Sequence, residues 1–279
     1  MIRRRLDAEL VRRGLARSRE QAGQLIDEGR VLIAGQTATK AATQVAPAAA
    51  IVVDTADTGP DYVSRGGYKL AGALEAFTGL DPKGRRCLDA GASTGGFTDV
   101  LLRAGASHVV AVDVGYGQIA WSLRTDDRVT VVERLNIREM KPEHVAAEPR
   151  DEHGAAEPRG ELPSLVVADL SFISLKLVLA PIQRCVTADA DYAIMVKPQF
   201  EVGKERVGAG GVVRDPELRA EAVRDVADHA WSLGLGVRGV TASPLPGPSG
   251  NVEYFLWLQA GAPPLDGADL AKAISEGPQ

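Results

Sequence analysis

The chain has few cysteines, few histidines and no long apolar run. Its two cysteines, Cys87 and Cys185, lack metal-ligand spacing, and only four histidines occur in 279 residues. These counts argue against a disulfide framework or a zinc site, and they are typical of a cytoplasmic protein. No uncharged apolar segment reaches the roughly 18 residues that span a bilayer, and no apolar stretch follows the basic start. We therefore expect neither a membrane-embedded role nor a bound metal.

Positive charge is concentrated at the start of an otherwise acidic chain. The formal net charge is -5, yet residues 1–20 contain seven arginines and three acids, so they carry +4 and the remainder carries -9. This asymmetry favours a basic surface facing a polyanion, although solvated helix faces are the alternative. Few aromatic residues occur there, so phosphate contacts would dominate over base stacking. The candidate contacts are Arg3, Arg4, Arg5, Arg12, Arg13, Arg17, Arg19, Arg30 and Lys40.

The apolar pattern of the first sixty residues predicts a small α+β domain. Two helical segments come first, and Ser18 begins a capping box for the second of them. Two strand-like runs follow, at 31–33 and 51–53. We assign residues 1–59 to this domain and residues 60–66, which continue a turn-rich stretch, to an interdomain linker.

Strand-like and helical segments then alternate through a larger domain, residues 67–279. This alternation predicts an α/β fold with a seven-stranded, doubly wound parallel sheet and helical crossovers. The predicted strands are 86–89, 108–113, 129–132, 164–169, 192–197, 237–240 and 252–258. One stretch breaks the pattern, because residues 146–161 repeat Ala-Ala-Glu-Pro-Arg and contain no large apolar side chain. We predict a flexible surface insertion there.

A glycine-rich turn follows the first strand of this sheet. Such a turn lets the backbone approach a ligand at the carboxyl ends of the strands, although a turn without ligand is the alternative. Asp113 ends the second strand, where an acid can bind the ribose of NAD or of S-adenosylmethionine. Asp89 would repel a pyrophosphate and the glycines depart from G-x-G-x-x-G, so S-adenosylmethionine is favoured. The predicted cofactor residues are Asp89, Gly91, Ser93, Gly95, Gly96, Phe97, Asp113 and Asp169.

Four charged residues fall where helices or strands should bring them to the same end of the sheet: Lys69, Asp169, Lys197 and Glu253. Charges at such points are costly unless they are paired or used in chemistry, so a structural ion-pair network is the alternative. Methyl transfer to a ribose hydroxyl requires that the hydroxyl lose its proton. We predict that Lys197 accepts this proton or orients the hydroxyl, and that Lys69 stabilises the developing negative charge. The two acids would orient these groups.

Other methyl-acceptor atoms lack the residues that their chemistry needs. Methylation of cytosine C5 requires a cysteine nucleophile, but Cys87 falls in a predicted strand and Cys185 on a predicted helix. The chain also contains no Asn-Pro-Pro-Tyr or Asp-Pro-Pro-Tyr segment to hold an exocyclic amine. Oxygen is therefore the expected acceptor.

Six motifs in order resemble the TlyA family, and residues 6–19 resemble the alpha-L RNA-binding domain. The motifs are Ser-Arg-Gly-Gly-Tyr-Lys-Leu at 64–70, Leu-Asp-Ala-Gly-Ala-Ser-Thr-Gly-Gly-Phe-Thr at 88–98, Val-Asp-Val-Gly-Tyr-Gly at 112–117, Ala-Asp-Leu-Ser-Phe-Ile-Ser at 168–174, Val-Lys-Pro-Gln-Phe-Glu at 196–201 and Pro-Gly-Pro-Ser-Gly-Asn-Val-Glu at 246–253. One segment departs from the family, since its Arg-Ala-Trp-Val linker reads Pro-Asp-Tyr-Val at 60–63 here.

The resemblance implies a Rossmann-like class I methyltransferase domain of the FtsJ type, with S-adenosylmethionine as cofactor. It implies 2′-O-methylation of cytidine in the ribosomal RNA of 30S and 50S subunits, because the chain resembles the longer form of the family. The family is also linked to capreomycin susceptibility and was once labelled haemolysin. Its Lys-Asp-Lys-Glu tetrad carries over onto Lys69, Asp169, Lys197 and Glu253.

Three rival functions remain open on the residues. A non-catalytic ribosome-binding or assembly factor would use the same basic surface. A haemolysin would need a membrane-active segment, which the chain does not offer. A nicotinamide-dependent oxidoreductase would use the same sheet but conflicts with Asp89 and with the glycine spacing.

Overall fold

A computed structural model of the chain describes residues 3–16, 18–27, 29–53, 61–146, 161–247 and 249–278. The chain divides into two compact units, Met1–Asp61 and Tyr62–Gln279. Nearly all of the predicted insertion at 146–161, the turn-rich boundary at 54–60 and Arg17 lie outside the described residues. The linker assigned to residues 60–66 stays a prediction.

The described residues of the first unit form two helices and two small sheets. The helices are α1 (Leu6–Arg12) and α2 (Arg19–Asp27), and the strands are β1 (Arg4–Arg5), β2 (Val31–Ile33), β3 (Gln36–Thr37), β4 (Gln44–Val45) and β5 (Ile51–Val53). Strand β1 pairs with β4, and β2 lies between β3 and β5. The Ser18 hydroxyl accepts the Gln21 N–H at 3.1 Å, which is the cap predicted for α2. Leu6, Leu10 and Ile26 are buried between the elements.

The second unit is built on a seven-stranded sheet in the order β11-β12-β10-β9-β6-β7-β8. These strands are β6 (Arg86–Ala90), β7 (His108–Val112), β8 (Val129–Val132), β9 (Leu165–Ala168), β10 (Asp191–Val196), β11 (Leu235–Ala242) and β12 (Tyr254–Ala260). Strands β6 to β10 pair in parallel, whereas β12 is antiparallel to both of its neighbours. The α/β class and the seven strands are therefore confirmed.

The direction of β12 corrects the expectation of a wholly parallel sheet with helical crossovers. Residues 243–253 connect β11 to β12, and this segment contains Pro244, Pro246 and Pro248. A parallel connection needs a dozen or more residues and usually a helix, which this proline-rich segment cannot supply. The chain therefore turns back, and the last two strands form an antiparallel pair.

Helices cover both faces of this sheet. They are α3 (Arg65–Ala76), α4 (Gly96–Arg103), α5 (Trp121–Arg124), α6 (Pro142–Val145), α7 (Leu179–Gln183), α8 (Pro198–Glu201), α9 (Pro216–Ser232) and α10 (Gly267–Glu276). Alternate strand residues enter different cores: Phe255 packs with the side chains of α3 and α4, while Leu256 packs with those of α7, α9 and α10. Burial on both faces explains why the parallel strands are continuous apolar runs.

Candidate active site

The four predicted catalytic residues form two ion pairs. Lys69 Nζ lies 2.5 Å from Glu253 Oε2, and Lys197 Nζ lies 2.5 Å from Asp169 Oδ1. Lys69, Lys197 and Glu253 are buried, whereas 23% of the Asp169 side chain is exposed. Buried ion pairs rarely stabilise a fold more than apolar side chains of the same size would. Two such pairs from four separate segments are therefore better explained by chemistry than by stability.

The ends of three strands bring the tetrad together. Asp169 follows β9 and Lys197 follows the neighbouring β10. In the β10–β12 ladder Val196 lies opposite Tyr254, so Lys197 and Glu253 leave the sheet at the same point. Because β12 is antiparallel, its first residues lie at the edge where the parallel strands end. A parallel β12 would have carried Glu253 to the opposite edge.

Lys69 reaches the site from α3, which packs closely against α4. A Cβ added at Gly96 would lie 2.8 Å from the backbone nitrogen of Gly67, so the two helices approach to a distance that only glycine permits. The loop before β12 closes over the other member of the pair. A Cβ added at Gly247 would lie 2.6 Å from Glu253 Oε1.

The glycine-rich turn lies at the same edge of the sheet. Gly91 has φ +89°, and a Cβ there would lie 2.7 Å from the carbonyl oxygen of Asp169. The Asp169 N–H in turn donates to the Ala90 carbonyl at 3.1 Å. Gly95, with φ +95°, precedes the first residue of α4. The predicted cofactor turn and a member of the tetrad are thus in direct backbone contact.

The Asp113 carboxylate, directly after β7, accepts hydrogen bonds from the glycine-rich turn and from its own loop. Its Oδ2 accepts the Ser93 N–H at 2.8 Å, and its Oδ1 accepts the Gly115 N–H at 2.6 Å. Ser93 has φ 49°, which is uncommon for a residue with a side chain. Each carboxylate oxygen has a second lone pair, so Asp113 can still accept hydrogen bonds from ribose hydroxyls.

Asp89 lies beneath the turn and is fully buried. Its Oδ2 accepts the Thr98 hydroxyl at 2.7 Å, while its Oδ1 has no hydrogen-bond donor within the described ranges. Burial raises the pKa of this carboxyl to about 7. An unpartnered buried carboxylate oxygen fits a cationic group, such as the ammonium of S-adenosylmethionine, and does not fit a phosphate.

Phe97 was predicted as a cofactor residue, but its side chain lies in the core. Its ring stacks on Phe255, with 6.0 Å between the ring centroids. Only the backbone of Phe97, in the first turn of α4, can contribute to a ligand site at this edge.

Three residues beside the tetrad were missed by the sequence analysis. Lys197 Nζ donates a hydrogen bond to Ser171 Oγ at 2.9 Å. Phe172 is 91% exposed with φ 63°, and its ring centroid lies 5.2 Å from that of Phe200. A bulky side chain with positive φ is strained, and such strain is concentrated at functional sites. The available signal was their position two or three residues after Asp169 or Lys197 in two of the motifs.

The predicted RNA contacts of the first unit include two networks around buried acids. Arg5 and Arg19 pair with Asp7 at 2.9 and 2.8 Å. Arg12 and Arg13 pair with Glu9 at 2.6 and 2.8 Å. Hydrogen bonds from these guanidinium groups lower the pKa of Asp7, and they lower that of Glu9 to about 2. The networks hold four guanidinium groups in place.

The remaining predicted contacts differ in how accessible they are. Arg13 also donates to the carbonyls of Pro47 and Ala49, so its guanidinium is engaged within the unit. Arg3, Arg4 and Lys40 are exposed. Arg30 is half-buried, and Arg17 lies outside the described residues.

Both cysteines are buried, and burial raises the pKa of the Cys87 thiol to about 12 and that of Cys185 to about 11. Neither thiol therefore ionises readily enough to act as a nucleophile.

Within the ranges given above, no helix is both long and apolar enough to cross a bilayer. Over the same ranges, no three His, Cys, Asp or Glu side chains are grouped to hold a metal ion.

Comparisons with known proteins agree with this geometry. The FtsJ-like methyltransferase family matches residues 62–260, and the S4 domain matches residues 4–51. A Mycobacterium tuberculosis protein, named 16S/23S rRNA (cytidine-2′-O)-methyltransferase TlyA, is 57% identical over 282 residues that cover 99% of each chain. Hemolysin A of Brachyspira hyodysenteriae is 34% identical, and the match covers 90% of this chain and 98% of that one.

A solved structure shares the whole architecture. A candidate hemolysin from Streptococcus thermophilus superposes with a TM-score of 0.74 and 34% sequence identity, over 99% of this chain and 96% of that chain. The S4 match falls on the module that resembled an alpha-L RNA-binding domain, and the FtsJ match includes all four tetrad residues. The chain therefore belongs to the TlyA family of S-adenosylmethionine-dependent, FtsJ-like methyltransferases with an N-terminal S4 domain.

Proposed function

We propose that this protein methylates the 2′-hydroxyl of a cytidine in 16S and 23S ribosomal RNA, acting in the cytoplasm on 30S and 50S subunits. The observation that carries the proposal is the pair of ion pairs, Lys69–Glu253 and Lys197–Asp169, beside a glycine-rich turn. The name of the 57% identical Mycobacterium tuberculosis relative supports this choice of substrate.

The cofactor would be held by residues at the carboxyl edge of the sheet. Asp113 would accept hydrogen bonds from the ribose hydroxyls, and Asp89 would face the cationic amino group. The Ser93 N–H is bonded to Asp113 and the Gly95 N–H to the Ala92 carbonyl, so the N–H of Gly96, at the start of α4, would donate to the carboxylate. When bound, S-adenosylmethionine supplies an electrophilic methyl group.

Lys197 is the residue best placed to handle the proton of the substrate hydroxyl. Asp169 and Ser171 both lie within hydrogen-bonding distance of its Nζ, which fixes the direction of the side chain. Lys197 would either orient the hydroxyl or accept its proton while passing one of its own to Asp169, as the oxygen attacks the methyl carbon. Lys69, held by Glu253, would stabilise the negative charge that develops on that oxygen.

The exposed ring of Phe172 supports an extruded nucleotide as substrate. Enzymes that modify nucleotides within folded RNA move the target out of its helix and stack its base on aromatic side chains. Such stacking contributes about 1–3 kcal/mol per base. An exposed ring on a strained backbone, three residues after Asp169, is suited to hold a cytosine while its ribose faces Lys197.

The test is methyl transfer to purified ribosomal subunits from cells that lack this protein. Wild-type protein should label 30S and 50S RNA, and Lys197→Ala should lower the rate about 100-fold or more, because a general base is lost. S-adenosylhomocysteine affinity, measured by calorimetry, should stay within about twofold, since the turn and Asp113 are intact. Lys272→Ala, a change at an exposed α10 lysine, is the matched control.

Two outcomes would count against this proposal, one against methyl transfer itself and one against the role of Lys197. Wild-type protein that binds subunits but transfers no methyl group would favour the non-catalytic assembly factor, because an S4 domain serves both functions. A Lys197→Ala variant with normal turnover would remove Lys197 from the mechanism. Mapping ribose methylation on ribosomal RNA, with and without the protein, identifies the modified nucleotide.

A further inference from the structure

The loops that follow β9 and β10 are tied together at two points. The first tie is the ion pair between Asp169 and Lys197. The second is made by Glu201, the last residue of α8, whose Oε2 accepts the Ser174 hydroxyl at 2.5 Å and whose Oε1 accepts the Leu175 N–H at 2.8 Å. The loop after β9 therefore begins with Asp169 and contributes Ser174 and Leu175 to the second contact. The loop after β10 begins with Lys197 and contributes Glu201.

Glu201 accepts a hydrogen bond from the Leu175 N–H, which has no acceptor within the loop that follows β9. Leu175 begins a short 3-10 helix, Leu175–Leu177, and the first N–H groups of a helix have no acceptor within that helix. The Ser174 hydroxyl also accepts the Lys176 N–H at 3.2 Å. Burial raises the pKa of the Glu201 carboxyl, while its bonds to Ser174 and Leu175 favour the ionised form. Because both oxygens of this half-buried carboxylate accept hydrogen bonds, removing the carboxylate would leave its donors without partners.

The segment between the two ties has an unfavourable conformation. Phe172 has a positive φ and an almost fully exposed ring, and its contact within this region is with Phe200 of the partner loop. Strain of this kind persists only where the surroundings enforce it. A loop fixed at Asp169 alone could relax, whereas one fixed at both Asp169 and Ser174 cannot.

We propose that Glu201 is a positioning residue for methyl transfer, which holds Asp169, Ser171 and Phe172 in the arrangement that orients Lys197 and the substrate nucleotide. The proposal rests on the function proposed above and deepens it. Glu201 has no direct part in the chemistry, because both of its oxygens face the opposite loop. Its effect passes through Ser174 and the five preceding residues.

Removal of the second tie should affect turnover more than cofactor affinity. Glu201→Ala removes both acceptors, so the Asp169–Ser174 segment can move relative to Lys197. A displacement of about 1 Å at reacting groups can lower a rate about 100-fold. Glu201→Ala leaves the Asp169 N–H bonded to the Ala90 carbonyl beside the Gly91 turn, and the Asp113 carboxylate lies in another loop, so S-adenosylhomocysteine affinity should stay within about threefold.

The experiment compares kcat, KM and S-adenosylhomocysteine affinity in three variants of the full chain, with ribosomal subunits as substrate. Glu201→Ala should lower kcat about 100-fold. Glu201→Gln should restore kcat to within about tenfold of wild type, because the amide oxygen can accept the Leu175 N–H and the amide nitrogen can donate to Ser174 Oγ. Glu221→Ala, which breaks an exposed ion pair with Arg206, should leave kcat unchanged.

The results distinguish failure of the proposed function from failure of the proposed role of Glu201. If wild-type protein transfers no methyl group, the function proposed above fails, and the role of Glu201 fails with it. If wild type is active and Glu201→Ala keeps kcat within about threefold, only the Glu201 proposal fails. Loss of cofactor affinity in step with kcat, or no rescue by glutamine, would show a merely structural residue.

Should Glu201→Ala not fold, Ser174→Ala decides instead. It removes the bond between Ser174 and Glu201 and the acceptor of the Lys176 N–H, but it keeps the Leu175 N–H bonded to Glu201. A lower kcat at unchanged S-adenosylhomocysteine affinity then supports the proposal, and a wild-type kcat overturns it.

Discussion

Asp89, proposed above to face the cationic amino group of the cofactor, is a buried carboxyl with a raised pKa. Desolvation raises its pKa from 3.8 to about 7, so near neutral pH a substantial fraction of the ligand-free protein carries a proton there. A bound ammonium favours the ionised carboxylate and lowers this pKa again. If the ligand ammonium meets Asp89 as proposed, binding should therefore release a proton.

This linkage predicts a pH-dependent cofactor affinity. S-adenosylhomocysteine should bind more tightly as the pH rises toward about 7, by at most about tenfold per pH unit, and the affinity should level off above that value. Asp89→Asn should bind more weakly and flatten the dependence. Calorimetry between about pH 5.5 and 8.5 measures both, with Asp127→Asn, an exposed acid, as the control. A wild-type affinity that does not change with pH would mean that Asp89 does not meet a charged group.

The tetrad could be predicted from the sequence because a charge at the end of an apolar strand is conspicuous. Lys197 and Asp169 each end such a strand, and the family motifs include both. Ser171, Phe172 and Glu201 lie in the same motifs, but none of them is a charge that ends a strand, so the strand pattern does not single them out. Their proposed roles rest on contacts with residues 26 and 27 positions away and on a positive φ, neither of which a linear pattern records.

At the scale of elements, all seven strands of the large sheet were predicted, but the direction of the last one was not. The proline-rich connection between β11 and β12 contained the information, since it cannot form a crossover helix. The two-residue strands β1, β3 and β4 were also missed. They are too short to show an alternating pattern and exist only through pairing with other strands.

The contact between α3 and α4 gives a prediction for Gly96. In Gly96→Ala the new Cβ would meet Ser64 Oγ and, at 2.8 Å, the backbone nitrogen of Gly67. The helices must then separate, which should destabilise the protein by about 1–3 kcal/mol. Because α3 carries Lys69, methyl transfer should also fall. Thermal unfolding and turnover measure the two effects.

Gly267→Ala is the matched control for this change. Gly267 is the first residue of α10, and a Cβ there would meet no atom within 4 Å. We expect an effect on stability below about 1 kcal/mol and normal turnover. Equal behaviour of the two variants would mean that the α3–α4 approach does not position Lys69.

At the scale of the whole molecule, an acidic protein is expected to bind a polyanion through one small basic unit. The structure refines which residues test this idea. Arg5 and Arg19 also neutralise the buried Asp7, so changing them would mix lost phosphate contacts with a destabilised fold. Arg3, Arg4 and Lys40 are exposed and allow a cleaner test.

We predict that the combined change Arg3→Gln, Arg4→Gln and Lys40→Gln weakens binding to ribosomal subunits without lowering the melting temperature. If each residue contacts a phosphate, the slope of log affinity against log salt should fall by about 2 to 3. Filter binding over a salt series measures it. The combination Lys83→Gln, Arg224→Gln and Lys272→Gln removes equal charge from exposed positions of the second unit, and it should leave the slope unchanged. Equal slopes in the two triple variants would contradict the basic surface.

The ion pair between Lys69 and Glu253 joins residues 184 positions apart, and this separation sets the order of events during synthesis. A growing chain carries Lys69 and the glycine-rich turn long before the strand that brings the matching carboxylate has been translated. Until that last antiparallel strand emerges, the lysine has no acid to neutralise it and the centre is incomplete. For an enzyme proposed to modify ribosomes, a nascent copy would thus stay inactive toward the particle that is making it.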